Sequence, residues 1–157
     1  MKWVTRERPK IDRLACPWLI LRFIDASAEI LYVPAIKVLA VAADEGATPF
    51  DVPGVELTHS GPLCSFDAFL DKYHLEDAAL ARLAEIVRAA DTDTLDRSVQ
   101  ARGLLAITLG LGANIADDQQ LLKTALPLYD ALYTWCGSLG SEHHGWHPQA
   151  ILKEMGR

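Results

Sequence analysis

Arg6, Arg8, Asp12, Arg13 and Cys16 crowd into one short stretch near the start of the chain. Cys16 stands directly before Pro17, and proline suits a first helical position because its missing N–H would be unpaired there anyway. That reading puts Cys16 at a helix entrance, where the positive end of the macrodipole favours thiolate. A thiol and several guanidinium groups beside exposed helix N–H groups would suit a small oxyanion. A second thiol repeats the pattern: Cys64 precedes Ser65, the expected cap of another helix. His59 lies shortly before it, across a Gly61-Pro62 turn, in reach to act as base for the thiol or to share a metal with it.

Each of these residues also has a plainer reading. Free cysteine is among the most buried residue types and packs as a small hydrophobe, which suits Cys136 on the apolar stripe of the last long helix. Arg6 and Arg13 can pair with Asp12, Glu7 or Asp25, and such pairs contribute little at a surface. Asp91 and Asp93 end a helix, where carboxylates oppose the dipole, so they call for an arginine or a metal, or else cap the next helix. The candidate metal set is His59, Cys64 and Asp91. His143, His144 and His147 look like a further cluster, but Gly145 and Pro148 argue against a stable helix there, and a solvated tail is the favoured reading.

The elements that must position these residues fall into two halves. A short strand over 3–5, a helix over 17–24, with a turn begun at Asp12 as a candidate lead into it, and a strand over 29–34 closed by Pro34 come first. Residues 36–45 fit a short helix stopped by Gly46, with a strand as the competing reading. Residues 48–52 and 55–59 read as short strands around the Pro53-Gly54 turn. Past Gly61-Pro62 the pattern turns helical. Ser65 caps a helix through Tyr73 with Phe66, Phe69 and Leu70 on one face. The next runs over 77–90 on the stripe Leu80, Leu83, Ile86, Val87 and Ala90. A third covers 94–111, and a fourth starts at Asp117 or Asp118 and is kinked by Pro127. The expected fold is α/β (α+β): a small mixed sheet with helices, then about four packed helices, as one domain over 1–136. Residues 137–157 form a tail, either a flexible linker with a docking segment or unstructured.

The length of 157 residues fits one domain with a real core. A net charge of −6, with no lysine- or arginine-rich block, gives no support to a nucleic-acid surface of the usual basic kind. No apolar leader and no membrane-length apolar run are visible. Three scattered cysteines do not suggest a disulfide framework, so the expectation is a cytoplasmic protein with reduced thiols. P-loop, G-x-G-x-x-G, H-E-x-x-H and paired C-x-x-C signatures are absent.

The order of longer strings carries more. Trp3-Val-Thr-Arg-Glu-Arg-Pro-Lys-Ile-Asp-Arg-Leu-Ala-Cys-Pro-Trp-Leu-Ile20, Arg22-Phe-Ile-Asp25, Gly46-Ala-Thr-Pro-Phe-Asp51, His59, Cys64-Ser-Phe66 and Tyr129-Asp-Ala-Leu-Tyr-Thr-Trp-Cys136 resemble the C-terminal domain of the chromate resistance protein ChrB. The resemblance covers 3–136 and implies a role in chromate resistance and the stress response to it. It points to Arg6, Asp12, Arg13, Cys16, His59 and Cys64 as the matching motif positions. Chromate is a tetrahedral dianion that guanidinium forks suit, and an oxidant of thiolates. The leading expectation is therefore a domain that binds chromate or a chromium species. In it, Arg6 and Arg13 hold the oxyanion and Asp12 orients an arginine. Cys64, with Cys16, is ligand or electron donor, and His59 is base or co-ligand. One alternative is a chromate-responsive sensor or regulatory interaction module without turnover; another is a divalent metal ion held by His59, Cys64 and a carboxylate such as Asp91. Larger family members carry a regulatory N-terminal half, and others join a sulfurtransferase. The stand-alone domain is thus expected to meet a regulatory or sulfurtransferase partner and to bind no nucleic acid by itself. Whether it is an enzyme, and how many chains assemble, stay open at this point.

Overall fold

A computed structural model describes residues 1–141 and 147–157 of the chain. Strand β1 (Lys2–Arg6) is the centre of a three-stranded sheet of order β2-β1-β3, with β2 at Glu29–Val33 and β3 at Thr48–Pro49. All three strands run parallel. Parallel neighbours need long crossovers, and helices α1 (Asp12–Leu19) and α2 (Val38–Glu45) supply them. Alternation along β1 sends Val4 to one face and Trp3 and Thr5 to the other. Val4 packs with Val38, Ala47 and Val52 under α2, whereas Trp3 joins the main core with Phe50 and Phe69. Gly46 ends α2 in the left-handed conformation with φ 61°, as its position predicts.

The second half holds α3 (Ser65–Lys72), α4 (Ala78–Asp91), α5 (Val99–Asn114) and α6 (Asp118–Thr134). The expected stripe of α4, Leu80, Leu83, Ile86, Val87 and Ala90, is buried throughout. Helix α6 packs on α1 through Trp18, Tyr129 and Tyr133. Asp130 fixes that contact, accepting from Trp18 Nε1 at 2.7 Å and from Arg22 Nε at 2.9 Å. The α/β class thus holds, with an N-terminal sheet and a helical second half.

Several boundaries differ for physical reasons. Helix α1 begins at Asp12, so Pro17 lies inside it and Cys16 is one turn in, away from the entrance. An interior proline leaves the carbonyl four residues earlier without its helical donor; here that is Arg13 O, which accepts from the Tyr32 hydroxyl at 2.7 Å. Tyr32→Phe should therefore cost about 1–2 kcal/mol in urea unfolding, the cost of a buried unpaired acceptor. The two strands expected around Pro53-Gly54 shrink to Thr48–Pro49 and one bridge between Phe50 and Leu57, because Asp51 turns to φ 51° and breaks the extended run. Helix α5 starts at Val99, after a 3-10 turn over Leu95–Arg97. Trp135–Leu139 extends α6 as a π turn into the expected tail, where Pro148–Glu154 forms helix α7 with Ile151 buried. His143 and His144 lie outside the described residues, and His147 is an exposed residue preceding α7. Among the described residues, no helix is long and apolar enough to cross a membrane.

Candidate functional site

Four segments converge where β1 gives way to α1. Asp12 is the first residue of α1 and is 1% exposed. Its Oδ2 accepts from Ser65 N at 2.6 Å, so the carboxylate of one helix satisfies a free N–H at the start of another, α3. Asp91, the last residue of α4, turns Oδ1 to Asp12 N at 3.4 Å. His59, from the loop before α3, sets Nε2 among three carboxylates: 3.0 Å from Asp91 Oδ2, 3.4 Å from Asp12 Oδ2 and 3.4 Å from Asp51 Oδ1. Potential ligand atoms of Asp12, His59 and Asp91 all lie within 4.8 Å of one another. Asp12 Oδ1 is buried and has no hydrogen-bond partner. A buried carboxylate oxygen without a partner is costly, and it belongs to the carboxylate that already faces His59.

Asp51 holds the arginines. Its Oδ2 accepts from Arg6 Nη2 at 2.7 Å and lies 3.3 Å from Arg13 Nε, while Oδ1 accepts from Ser65 Oγ at 2.8 Å. Arg13 also donates to the carbonyls of Arg6 and Glu7 at 3.2 and 2.8 Å. The sequence expectation that Asp12 orients an arginine is thus corrected: Asp51 does so, and Asp12 is turned to Ser65 and His59. Backbone strain gathers here too. Ile11 has φ 40° and ψ −96°, an outlier for a β-branched residue, and Asp51 has φ 51°. Such conformations cost roughly 1–3 kcal/mol and persist where surrounding contacts fix them, often at functional sites.

The carboxylates and the imidazole influence one another strongly. The approach of Asp12, with Asp91 and Asp51 behind it, raises His59 to about 9. Burial, then Asp12 and Asp51, raises Asp91 to about 6. Burial also raises Asp12, against the pull of His59. Packing three carboxylates together favours whatever cation can sit between them, whether proton or metal.

The thiols behave differently from the expectation. Burial, with Asp12 and then Cys64, pushes the Cys16 thiol well up. Cys64 is the residue preceding α3, yet burial, Asp12 and Asp67 push its thiol up as well, and Sγ donates to Asp67 Oδ2 at 3.4 Å. Burial, with the carboxylates added to it, outweighs the helix terminus. Both thiols are fully buried, so neither is an activated thiolate here. His59 turns its Nε2 to carboxylates and not to sulfur, which removes its expected part as base for Cys64. Cys136 is core, as expected. An aromatic disulfide reagent should find no fast thiol in the native protein and all three thiols after denaturation; a fast native reaction at Cys64 would contradict this burial.

Of the expected site residues, Arg6, Asp12, Arg13, His59 and Asp91 come together, and Cys16 and Cys64 lie behind them in the core. The expected metal set of His59, Cys64 and Asp91 changes by one member, with Asp12 in place of Cys64. Asp51 and the Ser65 side chain were missed. An aspartate between Phe50 and Val52, in a run otherwise fit for the core, was the available signal for Asp51.

A family model described as "ChrB, C-terminal domain" matches residues 3–136. The protein ChrB of Cupriavidus metallidurans is 34% identical over 134 residues, 85% of this chain and 40% of that protein. The chain therefore spans less than half the length of that relative. No solved structure matches the chain. With the strings around Arg6–Cys16, His59 and Cys64 inside the matched region, the chain belongs to the family of the ChrB C-terminal domain.

Proposed function

We propose that this domain serves chromate resistance as a binding module, and that it holds a divalent first-row cation through Asp12, His59 and Asp91. The observation that carries the reading is the cluster of Asp12, His59 and Asp91, with potential ligand atoms within 4.8 Å of one another and with Asp12 Oδ1 buried and unpartnered. Two carboxylates and one imidazole are a hard-to-borderline donor set suited to manganese, iron(II) or zinc. Three protein ligands leave coordination positions open, the pattern of sites that bind a further ligand. His59 is partly exposed, so those positions can face solvent.

Charge counting favours the same order of events. Without a cation, Arg6, Arg13 and a protonated His59 balance Asp12, Asp51 and Asp91, leaving the cluster without net charge. A dianion such as chromate gains little from that cluster, since both guanidiniums are already engaged by Asp51. A divalent cation that displaces the His59 proton leaves the cluster one positive charge, and chromate could then bind beside Arg6, the more exposed of the two arginines. The buried, protonated thiols favour the reading without turnover, as a sensor or chromium-binding domain, over thiol-based reduction. Reduced, metal-stripped protein mixed with chromate should therefore leave the chromate absorbance unchanged over minutes. Fast stoichiometric loss that Cys64→Ser abolishes would contradict this and restore the redox reading.

Cation binding must also expel protons. In the metal-stripped protein His59 titrates near 9 and Asp91 near 6. Ligands must be deprotonated to bind, so manganese affinity should rise with pH between 6 and 9, about tenfold per unit where one proton is released. Affinity independent of pH over that window would show that His59 is not a ligand.

A further inference from the structure

Strand β2 is an edge, and its outward side borders a cavity of about 680 Å³. Glu29 N donates to Met1 O and Val33 O accepts from Glu7 N, so Glu29, Leu31 and Val33 turn their backbone groups to β1. Ile30 and Tyr32 therefore point theirs outward. One of these groups is covered: Gln119 Nε2 of α6 donates to Ile30 O at 2.7 Å. Among the described residues, Ile30 N–H and both backbone groups of Tyr32 have no partner. Across from this edge, α6 and the π turn Ile20–Ile24 that follows α1 line the groove with Leu122, Leu126 and Leu21. Lys123 stands on the same wall without an ion-pair partner among the described residues.

An apolar groove alone would accept many things, but an open strand edge beside it selects backbone in extended form. We propose that the groove between β2 and α6 takes an extended peptide segment of another protein as a fourth strand. The peptide's main chain would pair with Ile30 and Tyr32. Its alternate side chains would be apolar, packing on Leu21, Leu122 and Leu126, and an acidic side chain would meet Lys123. The Gln119 bond is the kind of cover that protects an edge until a partner arrives.

The test is display selection of random seven-residue peptides on the full chain, with Leu126→Arg as counter-target. The expected result is enrichment of peptides with alternating apolar residues and an acidic residue. A synthetic representative should shift the amide signals of Ile30 and Tyr32, bind Leu126→Arg at least tenfold more weakly and bind Gln119→Ala more tightly. Lys123→Glu, on the exposed side of α6, should reverse the acidic preference, and it keeps the test decisive if Leu126→Arg does not fold. No enrichment, equal binding to the Lys123 variant and the parent, or a helical bound peptide would each overturn the proposal. So would concentration-dependent dimerisation through β2, which would assign the edge to a second copy of this chain.

Discussion

Asp12→Ala is expected to abolish cation-dependent stabilisation while changing the metal-free protein little. In the parent, a cation at about a hundred times its dissociation constant should add about 2.7 kcal/mol of stability. The variant removes a ligand and should lose at least 100-fold in manganese affinity, so that increment disappears. Two opposing effects keep the metal-free cost small. Ser65 N–H loses its acceptor, which costs about 1–3 kcal/mol, but a buried carboxylate crowded by Asp51 and Asp91 is removed as well. Thermal unfolding of both proteins, stripped and with manganese, reads the difference directly. Equal manganese-induced shifts in the two proteins would mean that Asp12 does not hold the ion. Asp12→Asn, which keeps an acceptor for Ser65 N–H, should behave as Asp12→Ala toward the cation and as the parent without it.

Asp51→Ala carries the largest expected stability cost, about 3–5 kcal/mol in urea unfolding. Removing one partner of a buried ion pair leaves the other charge uncompensated. Asp51 is 4% exposed, and the half-buried Arg13 guanidinium lies against it. Arg6 is more exposed and contributes less to the loss. Backbone geometry adds to the cost, because alanine tolerates φ 51° poorly, whereas asparagine and glycine accept it. Asp51→Gly should recover only the backbone part, and Asp51→Asn should recover that part and one acceptor. A loss below about 1 kcal/mol for Asp51→Ala would mean that the arginines are solvated without it.

The fold was legible where local periodicity and local physics agree. The stripe of α4 and the left-handed stop at Gly46 follow from spacing and from glycine's freedom, and both appear in place. The start of α1 was not legible, because Pro17 is usually read as a first helical residue. Its interior position depends on Tyr32, a residue of the next strand that supplies a donor to Arg13 O. The site shows the same division. His59, Asp91 and the arginines stand out by residue type, and their chemistry nominated them. The behaviour of the thiols depends first on burial, and then on carboxylates such as Asp12 beside Cys64, which tertiary packing brings there and no local pattern encodes. Ser65 looked like a helix cap from its spacing, yet its N–H and hydroxyl serve Asp12 and Asp51. That role exists only once α1, the 48–52 segment and α3 have met.

The most direct measurement is titration of manganese into metal-stripped protein, followed by the free-ion paramagnetic resonance signal, alongside His59→Ala and Asp91→Asn. Manganese, a hard ion, discriminates against the buried thiols. The account predicts one ion bound per chain in the parent and loss of that binding in both variants. No binding by the parent, or undiminished binding by either variant, would contradict a cation site at Asp12, His59 and Asp91.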